Sequence, residues 1–311
     1  MKKLIISLTS IIFMLLMILS PKISLFGASR GLLLWFNNVL PTLLPFMIAT
    51  NVIIRLNVMG SISSFLNRHL KSAVNFPVCI VYIILTGLLC GFPMGAKVIN
   101  DFYKNSDISF DEASWLISFC NLPSPMFIIS YTAVNTLSCS RPAIIVISFY
   151  LSALIISILS YIIYFKKNAP KSINIKNKSD AMKEHRFSIS SFESSLTDSY
   201  IAIAKIGGYM IIFSVMAAFL EQAYIINALS RCIFICLLEI TTGISIIPSL
   251  SIHQMYKIML ALATLSIGGM SCAAQTMGVL SDTQIMLKKY MLWRLLHALF
   301  SMIICYIIYM L

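Results

Sequence analysis

The sequence predicts an all-α polytopic membrane protein with about seven spanning helices and two re-entrant or broken helices, its halves related as an inverted repeat. Three observations carry that prediction. Hydrophobic residues make up 59% of the 311 and charged residues only 11%, with a mean hydropathy of +0.90, whereas a soluble domain carries about a quarter charged residues. Apolar runs of about 20 residues, the length that crosses hydrocarbon, recur along the chain. Two of these runs are broken in mid-course, one by Gly91, Pro93 and Gly95 and the other by Thr241-Thr242-Gly243.

The chain opens on Lys2 and Lys3 and continues apolar to Leu19. That length favours a retained membrane helix within residues 1–25 over a cleaved signal peptide. Further apolar candidates cover residues 35–56, 77–89, 114–136, 143–165, 200–220, 232–247, 258–280 and 292–310. If every one crossed, residues 166–186 would lie outside, although they hold seven Lys/Arg against two acids. Cytoplasmic loops carry the excess of Lys and Arg, so this stretch reads as a cytoplasmic loop and not as a nucleic-acid patch. One hairpin restores the topology. Residues 77–89 enter from the cytoplasm, turn at 91–93 and leave as the short helix "MGAKVINDFYKN", whose Lys97, Asp101 and Lys104 bar it from lipid. Non-helical backbone at membrane depth is tolerated only against protein or a watery cavity, so the break predicts a cavity.

The second half shows the same order of parts. Residues 200–220 correspond to 35–56, "LLEITTGISII" is a second broken segment with Thr-Thr-Gly as its turn, "LSIGGMSCAAQTMG" corresponds to "ISFCNLPSPMFIIS", and 292–310 corresponds to 143–165. Each unit has three crossings and one hairpin, so the units insert with opposite orientation, which is a transporter plan. The chain divides into an N-terminal helix (1–25), a first membrane unit (31–165), the basic loop (166–197) and a second membrane unit (198–311).

Candidate binding residues lie at the breaks. Gly91, Pro93 and Gly95 form the first tip, where free N–H groups at a helix N-terminus attract anions. Lys97 follows as a counter-charge, the alternative being an ammonium that snorkels to the interface. Glu239 is the acid well inside an apolar span, placed to pair with Lys97 or to take a proton, or else bonded to nearby backbone. Thr241, Thr242 and Gly243 follow it. In "NLPSP", Pro123 and Pro125 each free an upstream carbonyl, and Asn121 and Ser124 can satisfy those groups or bind a solute. Gly268, Gly269, Ser271 and Gln275 are their counterparts; small residues there also suit plain helix packing. Ser271 with His297 faintly suggests a hydrolase, but Gly-x-Ser is common and such a pair needs geometry. There is no metalloprotease, phosphate-loop or kinase motif, and the eight cysteines show no metal pattern. No enzyme, catalytic residue, metal or cofactor is expected.

The stretch "GFPMGAKVINDFYKNSDISFDEASWLISFCNLPSPMFIIS" resembles the YlbJ-type sporulation integral membrane proteins. It carries their G-x-P-x-G-A-K and S-F-x-N-x-x-x-P-x-F-I segments at 91–97 and 118–128. "VLPTLLPFMIATNVI", "KIGGYMIIFSV", "LLEITTG" and "GGMSCAAQ" are similar too, so the resemblance covers residues 31 to 311. That family belongs to the nucleoside-recognition or gate membrane domains, similar in plan to concentrative nucleoside transporters. The resemblance implies a role in endospore formation, moving the dianion dipicolinate across the outer, mother-cell-derived forespore membrane.

Three functions stand open: a transporter of a small organic anion, a transporter of a neutral nucleoside-like solute, and a non-transporting assembly factor of the spore envelope. A basic cavity floor favours the first. A cavity lined by Asn121, Ser124, Thr241 and Gln275 with Lys97 outside it favours the second, and no cavity at all favours the third. The lipid bilayer is the expected environment, nucleic acid is not an expected partner, and a homo-oligomer and any coupling ion are left open. In a background whose native cysteines are replaced, Lys176→Cys is expected to react with a membrane-impermeant thiol reagent from the cytoplasmic side only. Labelling from outside would invert the topology and remove the case for the hairpin.

Overall fold

A computed structural model describes residues 2–55, 77–165, 189–222, 226–280 and 287–310. The basic stretch 166–186 lies outside them. Helix α1 (Lys2–Leu19) ends at a sharp corner, and α2 (Pro21–Leu34) begins with Pro21 at its first position, where the missing N–H is no loss. The bend there is 105°. Without a break, α2 passes through a π-helical turn (Trp35–Val39) into α3 (Leu40–Arg55). Within that turn Trp35 Nε1 donates to the Ile203 carbonyl at 3.0 Å.

The first hairpin is α4 (Val78–Leu89), a tip at 90–93, and α5 (Met94–Lys104). Then α6 (Phe110–Cys120) starts on a capping box, Ser109 accepting from Glu112 N–H and the Glu112 carboxylate accepting from Ser109 N–H. A non-helical stretch around Asn121 leads to a π-helical segment (Phe127–Thr136) and to α7 (Pro142–Phe165). Helix α8 (Ile189–Glu221) starts the second half. Residues 189–197, expected in the loop, are therefore helical; Ser194, Thr197 and Ser199 satisfy their hydroxyls on carbonyls one turn back, so the polar sequence does not oppose the helix.

The second hairpin is α9 (Ala228–Leu238) and α10 (Ile240–Ile246). Its turn is Glu239 and not Thr241-Thr242-Gly243, which belong to the first turns of α10. Glu239 is extended (φ −145°, ψ 123°) and caps α10 through its own side chain, so the corner forms where the cap is. Helix α11 (Gln254–Ile267) breaks at Gly268 and Gly269, with φ of +79° and +71°, into α12 (Gly269–Leu280). Only a residue without Cβ takes that left-handed bend cheaply. The chain closes with α13 (Leu287–Met310).

This is a polytopic integral membrane protein. Among the described residues four helical stretches are long and apolar enough to cross a bilayer, Pro142–Phe165, Phe192–Glu221, Gln254–Leu280 and Lys288–Met310, and the bent pair Ser7–Leu19 with Pro21–Val39 adds a fifth. Residues 114–136, expected as one crossing, are divided by the non-helical stretch after Cys120.

Packing relies on small residues, as it must where lipid competes equally with any apolar side chain. α2 crosses α8 at Gly27 and Gly31, where a Cβ would come 2.7 Å from Val215 Cα and 2.8 Å from Ser214 Cβ. Serine pairs bridge neighbouring helices: Ser118 donates to Ser160 at 2.8 Å between α6 and α7, and Ser266 meets Ser301 at 3.2 Å between α11 and α13. Gly87 and Gly95, one on each arm of the first hairpin, both seat directly on the Cys120 carbonyl, and a Cβ on either would collide with it. Gly95→Ala is accordingly expected to destabilise the detergent-solubilised protein by about 1–3 kcal/mol. Gly208→Ala is the control: a Cβ there meets nothing within 4 Å, and the helix gains about 0.8–1 kcal/mol of propensity. Equal thermal midpoints for the two variants would refute the close packing at Cys120.

Candidate functional site

Both hairpin tips and the first helix break meet at one place, and the second break packs against the Phe92 ring beside it. A pocket of about 50 Å³ is lined by Gly91 and Phe92 of the first tip, Pro123, Ser124 and Phe127 at the first break, Glu239, Ile240 and Thr241 of the second tip, and Cys272 and Gln275 on α12, with Val39, Leu43, Ile206 and Met210 completing the wall. The volume suits water molecules and falls short of the about 300 Å³ at which ligand pockets begin. A larger, more open space of about 390 Å³ runs along α2 but is bounded only by residues between Phe26 and Asn38. It gathers side chains from one stretch of helix, and its charged member, Arg30, is already bound to Glu221 and Ser245.

Two φ-positive glycines shape the pocket. Gly91 (φ +80°) faces Ser124, and a Cβ on Gly268 would lie 3.1 Å from the Phe92 ring, so the first tip inserts its phenyl group against the second break. Across the pocket, the Tyr131 hydroxyl donates to the Thr241 carbonyl at 2.9 Å, tying the first half to the second tip. Glu239 is 1% exposed. Its carboxylate accepts from Thr242 N–H at 2.6 Å, which satisfies an otherwise orphaned donor of α10.

Of the residues expected to bind a solute, Gly91, Ser124, Glu239, Thr241 and Gln275 line the pocket. The others surround it. Thr242 turns away to bond Ser214 on α8 at 2.7 Å; Gly243 packs on Cys236 and Gly269 on the Leu238 carbonyl; Gln275 Nε2 donates to Ser271 at 3.4 Å. Pro93 is the residue before α5 and Gly95 lies in its first turn, a contact point and not the tip. Pro125 and Gly268 sit at the breaks, outside the lining.

Lys97 does not reach the pocket or Glu239. It is exposed, on one stripe with Asp101 and Lys104, which are exposed too, while Ala96, Ile99 and Asn100 bury the other face of α5. The i, i+4, i+7 spacing puts the three charges on one side, and the apolar face takes the contact with α12, where Asn100 Nδ2 donates to the Val279 carbonyl at 3.1 Å. Ser271 and His297 are not joined either, since His297 Nε2 lies 3.0 Å from the Phe149 carbonyl.

Asn121 has a different part from the one expected. It is fully buried. Its Oδ1 accepts from Ala96 N–H in the first turn of α5 at 3.3 Å, and its Nδ2 donates to the Thr276 and Tyr290 hydroxyls at 2.9 and 3.1 Å. Its main-chain carbonyl, which an N–H at position 125 would hold in a helix, loses that donor to Pro125 and takes one from Arg294 Nη2.

Arg294 is the residue the sequence reading missed. It is 0% exposed, with its guanidinium 5.5 Å from the Phe92 ring and 5.4 Å from the Tyr290 ring. His297 Nε2 can only donate to the Phe149 carbonyl, so Nδ1 of the neutral ring is the acceptor facing Arg294 Nη1 at 3.5 Å. The available signal was an arginine inside an apolar run, "LWRLLHALF", where such residues are costly and functional by default.

The sporulation integral membrane protein YlbJ of Bacillus subtilis (strain 168) is 26% identical over 312 aligned residues, spanning 90% of this chain and 76% of that protein. The chain is thus similar to a YlbJ-type membrane protein over most of its length. The likeness spans about as much of the chain as the resemblance read from the sequence, residues 31 to 311. No family model matches the chain, and no solved structure matches it. The first turn of α5, the middle of α12 and the final helix are joined through Asn121. Asn121→Ala is expected to cost about 1–3 kcal/mol for each buried group left unpaired, seen as a lower thermal midpoint in detergent. An unchanged midpoint would show that the network carries no stability.

Proposed function

We infer that the chain is an integral membrane transporter of a small organic anion, dipicolinate, acting in endospore formation at the outer forespore membrane. The observation that carries this reading is the convergence of both hairpin tips and the first helix break on one small pocket, with the second break packed against the Phe92 ring beside it. Broken helices meeting at one site are the working parts of alternating-access transporters. The two halves repeat hairpin, broken helix and long helix in the same order, which supports an inverted repeat of the concentrative nucleoside transporter kind. The relative is named for sporulation and for its place in the membrane, and the family resemblance supplies the forespore membrane and dipicolinate.

One observation favours a second reading. Ser124, Thr241 and Gln275 line the pocket and Lys97 is exposed, as a neutral nucleoside-like solute would require. The buried guanidinium beside Phe92 restores a positive charge to the neighbourhood and turns the balance to an anion.

Uptake into proteoliposomes, dipicolinate against nucleosides, decides between them. Dipicolinate is expected to accumulate and nucleosides are not. Lys97→Met is expected to transport within about twofold of the wild type, as substitutions at exposed positions stay within about 0.5 kcal/mol. Nucleoside uptake alone would establish the second reading, and uptake of neither solute would leave the chain as a non-transporting assembly factor.

A further inference from the structure

Among the described residues Arg294 is a buried cation with no anion beside it. The ion pair found among the described residues, Arg30 with Glu221, lies elsewhere. A charge taken out of water is costly unless it is both paired and hydrogen-bonded. What the described residues offer Arg294 is neutral: the Asn121 carbonyl, the His297 ring nitrogen and the faces of Phe92 and Tyr290. Its Nε–H has no hydrogen-bond partner among the described residues. A guanidinium grips a carboxylate through two parallel N–H donors, and Nε with a neighbouring Nη forms one such edge.

The guanidinium is coupled to the pocket from two sides. Phe92 lines the pocket and lies against Arg294. Cys272 also lines it and is within electrostatic reach of both Arg294 and Glu239. The Glu239 carboxylate is turned to a donor on its own helix, so the acidic end of a ligand belongs on the Arg294 side.

We propose that Arg294 is the carboxylate-binding residue of the transport site, its Nε edge meeting the substrate when the first tip withdraws Phe92. The assignment rests on the anion-transport reading and names the residue and the ligand group that reading lacks. The class of ligand is a compact carboxylate anion.

The test uses the full-length protein with dipicolinate and its neutral analogue pyridine-2,6-dicarboxamide as probes, read by ligand-dependent thermal shift and by uptake. Dipicolinate is expected to raise the wild-type midpoint. In Arg294→Gln its affinity is expected to fall by about tenfold to a hundredfold, while the response to the dicarboxamide is kept or strengthened. Arg294→Lys, which retains charge but not the fork, falls between. Should Arg294→Gln not fold, phenylglyoxal modification of wild-type Arg294, followed by peptide mass spectrometry, takes its place: dipicolinate slows the reaction and the dicarboxamide does not. Wild-type affinity in folded Arg294→Gln, or an Arg294 left unprotected at saturating dipicolinate, overturns the assignment and leaves anion transport standing. A wild-type protein that neither binds nor takes up dipicolinate overturns both.

Discussion

Asn121 has one short side chain and a carbonyl, and through them it holds the first turn of α5, the middle of α12 and the start of α13. Each of these groups is buried, so the competing state for each is not a bond to water but no bond at all. That makes the amide a constraint on register. If α12 or α13 slid by a residue, Thr276, Tyr290 or Arg294 would leave its position and strand a polar atom in the interior. The prolines at 123 and 125 keep this region out of a helix and leave the carbonyl open to a partner from elsewhere. Glycine on both arms of the first hairpin then lets the backbone approach closely enough for the Ala96 N–H to arrive.

Much of this was legible as a pattern of interruptions. Gly-Phe-Pro in an apolar run, two prolines two residues apart and a Gly-Gly pair each change what the backbone can do, and each marks a real break. Side-chain direction was less legible. Lys97 lies next to the first tip in sequence, but the face of α5 is chosen by Ala96, Ile99 and Asn100 against their neighbours, and that choice turns the ammonium outward. Arg294 follows Lys288 and Lys289 closely and reads like the interfacial end of a crossing; only the arrival of Asn121 and Phe92 from the other half makes it interior. The second turn was displaced by two residues for a local reason. A glutamate that caps the helix after it and a glutamate buried within a helix present the same letters, and the Thr242 N–H contact separates them.

The number of crossings is less fixed by composition than the breaks are. Hydropathy treats residues 114–136 as one segment, yet the chain leaves helical geometry at Asn121 and resumes with a π-helical winding. Such windings recur at functional positions in helices. Here they appear at Trp35–Val39 and Phe127–Thr136, and both contribute to the pocket wall through Val39 and Phe127.

The two buried ionisable groups near the pocket are held in opposite ways. Glu239 is stabilised by Thr242, three positions along the same short helix, so the acid and its donor travel together wherever the second tip goes. Arg294 is stabilised by Asn121 and Phe92, which belong to other elements, so a displacement of the first hairpin takes away the Phe92 ring and leaves the Asn121 carbonyl, His297 and Tyr290 in place. One charge is portable and the other is stationary. A shift of the first tip would therefore leave the surroundings of the acid intact and change those of the cation behind Phe92.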